Sequence, residues 1–182
     1  VGVDIKAEKL LADFDAIVLT GGSTVPRAIN IKGRELKGVH FAMEFLSQQN
    51  KRNAIAAGKT IDMIKDQTAS VFKTPEILAA NKNVFVIGGG DTGSDCVGTS
   101  NRHKAKSVSQ IEIMPMPPLT RAESTPWPNW PMMLRTSTSH EEGAERAWSL
   151  NTKEFVGDEN GNLKAIRLVE VEWVTEEGRM VM

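Results

Sequence analysis

The sequence predicts an α/β fold: a parallel sheet with flanking helices, followed by an antiparallel β-meander. Three observations carry that prediction. Short apolar runs end in glycine, Ala16–Leu19 before Gly21-Gly22 and Val84–Ile87 before Gly88-Gly89-Gly90. The second run opens a strand–helix–strand spacing, which implies parallel pairing through a right-handed crossover. Beyond Thr152 the texture changes to partly alternating strands separated by turns.

Taken in order, Asp15–Thr20 reads as a buried strand. Val39–Gln49 reads as a helix, because Val39, Ala42, Met43 and Leu46 form one apolar stripe. Asn50–Thr60 is polar, basic and glycine-containing, and is expected to be loop. Thr74-Pro75-Glu76-Ile77 has the cap, first-position proline and first-turn acid of a helix start, so a helix is expected up to about Asn81. Val84–Ile87 is a strand, Asp91 to about His103 a helix, and Ser107–Met114 a second strand. Pro115–Pro131 is a proline-rich irregular loop containing Trp127 and Trp130. Ser139–Leu150 is expected to be helical, with Ser139 as cap and Glu141 and Glu142 in the first turn. Lys153–Val156 is extended, Asp158–Asn162 a turn, and Leu163–Val174 a partly alternating strand. Glu177-Gly178 is a turn, and Met180–Met182 begins the next strand.

The 182 residues suffice for one substantial domain or two small ones. Charged residues make up 25% and hydrophobic residues 40%, a usual soluble balance. A net charge of −1 gives no electrostatic case for a nucleic acid or an acidic membrane as partner. No apolar run is long enough to span a bilayer, and no signal peptide is visible. The chain opens on Val1 and reads as an interior segment of a longer protein. Its single cysteine, Cys96, excludes an internal disulfide and a four-thiolate cluster; it reads as a small buried helix residue.

Gly88, Gly90 and Gly93 fit G-x-G-x-x-G, with a strand before and a helix after. This is the Rossmann-like arrangement for dinucleotides. Gly88 permits the tight turn, Gly90 lets a diphosphate approach bare backbone, and Gly93 lets helix and strand pack closely. Gly89 belongs to the same turn, and Thr92 offers a hydroxyl. Asp91 is awkward beside phosphate and is expected to cap the helix or hold a neighbouring loop. NAD sites carry an acid at the end of the second strand. Here Glu112 is expected mid-strand, and Met114 and Pro115 occupy the usual acid positions. Arg121 follows and could meet a 2′-phosphate, which favours NADP.

Other chemistries are weaker. His140-Glu141-Glu142 lacks a second histidine one turn on, because residue 144 is Ala, and His40 and His103 lie in separate elements. Acids at the positive end of a helix start are the favoured account of the run. Ser70-Val71-Phe72-Lys73 matches S-x-x-K without its companion motifs. Trp127 and Trp130 could stack on a nicotinamide, meet a neighbouring domain or fill a loop core; packing is favoured. Lys51, Arg52 and Lys59 form no continuous basic run. Arg102, His103, Lys104 and Lys106 suit a helix C-terminus.

VFVIGGGDTGSDCVGTSNRH, RAESTPWPNWPMMLRTSTSHEEGAERAW, TKEF and DFDAIVLTGGSTVPRAINIKGRELKGVHFAMEFLSQQNKR together resemble the small (beta) subunit family of bacterial-type glutamate synthase. The GGGDTG turn is shared with many flavin-dependent pyridine nucleotide reductases. The WPNWP and LRTSTSHEEG runs are more specific. Lys32 stands where the family tends to have Pro, which affects only a loop. The resemblance implies a cytoplasmic two-Rossmann flavoprotein with a nicotinamide domain inserted into an FAD domain, and an iron–sulfur segment before both. NADPH would reduce FAD, and electrons would pass through iron–sulfur centres to a large subunit. There an FMN site would reduce 2-iminoglutarate to glutamate.

By the same resemblance, residues 1–37 are a partial FAD-binding segment, with Thr20, Gly21 and Gly22 abutting the flavin. Residues 38–182 are an NADPH-binding domain truncated at its C-terminus. The opening FAD strand, the cluster cysteines and the C-terminal Gly-Asp segment are absent, so the chain resembles the family's middle third. The isolated chain is expected to be inactive. The alternatives are an NADPH-dependent flavin oxidoreductase module serving another partner, or a nucleotide-binding fragment without turnover.

Overall fold

The computed structural model describes residues 2–23, 25–58, 75–177 and 179–182. Two helices come first, α1 (Ala7–Asp13) and α2 (Ala42–Ala56). A parallel unit follows: β1 (Asn83–Ile87), α3 (Asp91–Arg102), β2 (Ser107–Ile111), the short α4 (Thr138–Glu141) and β3 (Glu145–Ala147). Antiparallel pairs complete the chain: β4 (Leu150–Gly157) with β5 (Leu163–Glu170), and β6 (Val174–Glu176) with β7 (Arg179–Val181).

The sheet order is β1-β2-β3, all parallel. Val84 faces Val108 in register and Ile87 faces Ile111, so the strand–helix–strand unit pairs as its spacing predicts. Helix α3 covers one face of the sheet. Its Val97 is fully buried and packs with Cys96, Val86, Val108, Phe45, Ile77 and Ala79 into the core. Phe45 of α2 meets the His103 ring edge-on at 5.3 Å, which ties α2 to the end of α3. Cys96 is buried in this cluster, as expected.

Several expectations are corrected. Asp15–Thr20 forms no strand; Val18 and Leu19 are more than four-fifths exposed. A strand exists by pairing, and among the described residues this segment finds no ladder. Helix α2 starts later than Val39 and runs through the expected loop to Ala56, supported by Gln49–Asn53 and Arg52–Gln49 side-chain bonds one turn apart. Lys59, Thr60 and the Ser70–Lys73 motif lie outside the described residues.

The helix expected from Thr74 does not form over Pro75–Ala79, and Thr74 itself is outside the described residues. The buried amide of Gln48 intervenes. Its oxygen accepts the Ile77 N–H at 2.9 Å, and its nitrogen donates to the Pro75 carbonyl at 3.2 Å, holding this stretch extended. A tertiary partner outbids the local helix signal.

Strand β2 ends at Ile111, short of Met114, because the Glu112 carboxylate takes the Ile113 and Met114 N–H groups. The helix expected over Ser139–Leu150 is one turn long. Gly143, at φ 116°, lets the chain reverse, and Glu145–Ala147 then joins β2 in parallel register. The antiparallel strands occur as two separate pairs rather than one continuous meander. The Asp158–Asn162 turn is present, with Asp158 accepting from the backbone N–H groups of Asn160 and Asn162. Gly178 of the last predicted turn is outside the described residues.

Candidate functional site

The Gly88–Gly93 turn is built by its neighbours on both sides. Gly88 adopts φ 117°, a conformation side chains rarely take, and its N–H donates to the Ile111 carbonyl at 2.8 Å. The chain thus leaves β1 while still tied to β2. The Gly89 N–H donates to the Glu112 carboxylate at 2.5 Å. Gly90 is the N-cap of α3, and its carbonyl accepts the first helical bond from Ser94. A Cβ on Gly93 would collide with the Gly88 carbonyl oxygen and stand 2.9 Å from Gln110 Nε2, so strand and helix approach closely there.

A Cβ on Gly90, by contrast, would meet nothing within 4 Å. The first-turn N–H groups of a helix lack intrahelical partners, and the helix start carries partial positive charge. Bare backbone, open space and unpaired amides at Gly90–Gly93 therefore fit a diphosphate. Asp91 is exposed at the first helical position; the cap is Gly90, so the expectation that Asp91 caps the helix is not met.

The turn opens into a cleft of about 740 Å³. Gly88, Gly90, Asp91, Thr92 and Gly93 line one end, β1 runs along it, and Arg27, Phe41 and Phe155 close other sides. A second, small cavity lies against Gly89, lined by Gln110, Glu112, Arg146 and Trp148.

The remaining predicted site residues lie elsewhere. Thr20, Gly21 and Gly22 are exposed and do not line the cleft. Arg121 donates to the carbonyls of Thr125 and Asn129, stapling the proline-rich loop, and lines neither cavity. Trp127 and Trp130 are 84% and 75% exposed, so neither fills a loop core; Arg135 stacks 4.0 Å above the Trp130 ring. Among the described residues no group of three His, Cys, Asp or Glu side chains could hold a metal ion. The Cys96 thiol is pushed up to about 11, first by burial and then by Asp95, so it is no nucleophile near neutral pH. No helix among the described residues is long and apolar enough to cross a membrane.

Sequence reasoning missed three residues beside the turn. Glu112 is not mid-strand: it is the first residue past β2, with its carboxylate on the glycine turn. Gln110, 2% exposed, donates from Nε2 to the Gly88 carbonyl at 2.9 Å. His140 donates to Gln110 in turn. The spacing from Gly89 to Glu112 was available as a signal; the run from His140 of α4 through Gln110 of β2 to the Gly88 carbonyl was not.

The fold and its turn define a Rossmann-type β-α-β unit joined to antiparallel strand pairs. Comparisons with known proteins narrow this further. The chain is 54% identical over 171 residues to the glutamate synthase [NADPH] small chain of Mycobacterium tuberculosis, covering 94% of this chain and 33% of that protein. It is 38% identical to the small chain of Bacillus subtilis, covering 97% of this chain and 34% of that protein. It is 43% identical to the glutamate synthase [NADH] of Schizosaccharomyces pombe, covering 98% of this chain and 8% of that protein. No family model matches the chain. The chain is similar to glutamate synthase small chains over nearly its whole length, as its motifs suggest, and spans about a third of the length of the small chains it matches.

Proposed function

We propose that this chain is the pyridine-nucleotide-binding part of a glutamate synthase small chain, the point at which electrons enter the enzyme from NADPH. The observation that carries this reading is the Gly88–Gly93 turn, whose open Gly90 and unpaired helix amides fit a diphosphate. The nucleotide, once held here, would supply a hydride from its nicotinamide C4 for delivery to a flavin N5. The chain's own residues bind and orient. Gly88 sets the turn, the N–H groups of Gly90–Gly93 receive the phosphates, Thr92 adds a hydroxyl, and Gly93 keeps helix and strand together. No side chain here is assigned as acid or base.

In the whole protein, residues 1–37 would belong to an FAD-binding domain, with Thr20–Gly22 against the flavin, and residues 38–182 to the nicotinamide domain. Iron–sulfur clusters outside this chain would carry the electrons to a large subunit for glutamate formation. The relatives' names, glutamate synthase [NADPH] small chain, support the enzyme and the existence of a larger partner subunit.

The test compares the full-length parent protein with this chain. The parent, purified with FAD, is yellow and bleaches on adding NADPH. This chain alone is colourless and binds the nucleotide without passing electrons. A flavin in the parent that stays oxidised under excess NADPH overturns the reading.

A second reading, NADH in place of NADPH, is favoured by Glu112. An acid at the end of the second strand is placed for ribose hydroxyls, and Glu112 stands there against Gly89. Arg121, the candidate reader of a 2′-phosphate, is engaged with its own loop. The relatives carry both names, NADPH and NADH.

A further inference from the structure

Four side chains outside the diphosphate site form a closed run of hydrogen bonds around its turn. The Gly88 carbonyl can only accept, so the Gln110 amide turns its nitrogen to it, at 2.9 Å. The amide oxygen of Gln110 then faces His140 Nε2 at 2.9 Å, which makes that nitrogen the donor. At the far side of the ring the Ser137 backbone N–H, which can only donate, meets His140 Nδ1 at 3.1 Å. Both ends independently require the same neutral tautomer, protonated at Nε2. Ser137 Oγ also bonds Ser94 Oγ of α3, which returns the run to the helix that follows the turn.

We propose that His140, in this neutral form, is a positioning residue that fixes the glycine turn through Gln110 and makes its geometry sensitive to pH. An imidazolium carries hydrogens on both nitrogens. Its Nδ1–H would then oppose the Ser137 N–H and turn to Ser137 Oγ, 3.1 Å away, competing with Ser94 for that hydroxyl and loosening the Gly88 end. The ionisable groups on the elements around the ring are Asp91, Asp95, Cys96 and Arg102 of α3, Glu112 beyond β2, and Glu145 and Arg146 of β3. Glu141 and Glu142 flank it on its own segment, and Glu142 is paired with Arg102. Burial and the charge of Arg146 both hold the imidazole below its usual value, so it is neutral at pH 7 and charges only under acid conditions.

The effect on nucleotide affinity rests on the function proposed above; the effect on the turn does not. Two readouts separate them. The first is ligand-free: amide hydrogen exchange of Gly88–Ser94 in the wild-type chain, in His140→Gln, which keeps a donor toward Gln110, and in His140→Leu, which does not. The wild-type ring nitrogens should show the neutral Nε2–H form by nitrogen-15 NMR. Exchange at the turn should rise about three- to tenfold in His140→Leu, the range of one lost hydrogen bond, and stay near wild type in His140→Gln. The second is calorimetric titration with NADP⁺ from about pH 8 to about pH 5.5. The ratio of wild-type to His140→Gln affinity should fall about three- to tenfold toward acid, because the ligand's own titration cancels in that ratio.

Unchanged turn exchange in His140→Leu, or the opposite tautomer, overturns the proposal. So does a measured affinity ratio that is flat with pH. If the wild-type chain binds no nucleotide while exchange behaves as stated, the function proposed above fails and the positioning role stands.

Discussion

At the residue scale, Glu112 and Arg121 are the two candidates for reading the nucleotide proposed above. Glu112 sits at the end of β2 with its carboxylate on Gly89, while Arg121 is spent on the Thr125 and Asn129 carbonyls. If Glu112 reads ribose hydroxyls, Glu112→Gln shifts the NADPH-to-NADH affinity ratio toward NADPH by about tenfold, since a carboxylate repels a 2′-phosphate and its amide does not. Arg121→Ala then leaves the ratio in place. The reverse pattern, with Arg121→Ala moving the ratio toward NADH, assigns the choice to Arg121. The turn at Gly88 and the close packing at Gly93 were legible in the sequence because each follows from a missing side chain at a fixed place. Glu112 was misread because its own carboxylate ends the strand early, and no propensity encodes that. The Gln110–His140 contact was illegible for another reason: it joins elements 30 residues apart.

At the scale of elements, Pro75–Ala79 shows how a single buried amide overrides a local signal. Gln48 is 5% exposed and binds the backbone of Pro75 and Ile77 from α2. Gln48→Ala leaves a buried N–H and carbonyl without that partner, at a cost of about 1–3 kcal/mol in urea unfolding. Faster amide exchange at Ile77 should accompany it. A loss well below that range would mean that other contacts hold this segment extended. The β1-α3-β2 unit was read correctly because apolar runs, glycine turn and spacing agree. The helix expected after Ser139 was read too long. Gly143 ends it, and the partner that makes Glu145–Ala147 a strand is β2, some 36 residues earlier. The Asp15–Thr20 run has the composition of a strand but no ladder among the described residues, and composition alone cannot supply one.

At the scale of the molecule, all three histidines have imidazole values lowered mainly by burial: His40, His103 and His140. His103 also accepts the Ala79 N–H on Nδ1, which suits the neutral ring. Each folded value lies below the unfolded value of about 6.5, so the unfolded chain binds more protons in that window. Their contribution to stability is fully present above about pH 6.5 and is lost as pH falls from there toward the lowered folded values. Thermal unfolding between about pH 7.5 and pH 5.5 should show the melting temperature dropping with acid. A melting temperature that rises over that interval contradicts the lowered values of these imidazoles.

The central claim is that the open, amide-lined start of α3 holds the diphosphate of a pyridine nucleotide. Gly90 lies at φ −79° and ψ −179°, ordinary extended backbone with open space where a side chain would go. Gly90→Val therefore fits the fold while filling the phosphate's place. Isothermal titration of NADPH and NADH into the wild-type chain and Gly90→Val tests the claim most directly, with a melting curve to confirm that the variant is folded. Saturable binding of at least one nucleotide by the wild type, and its loss in a folded Gly90→Val, is the expected result. Equal affinity in the two proteins, or no binding of either nucleotide by the wild type, contradicts it.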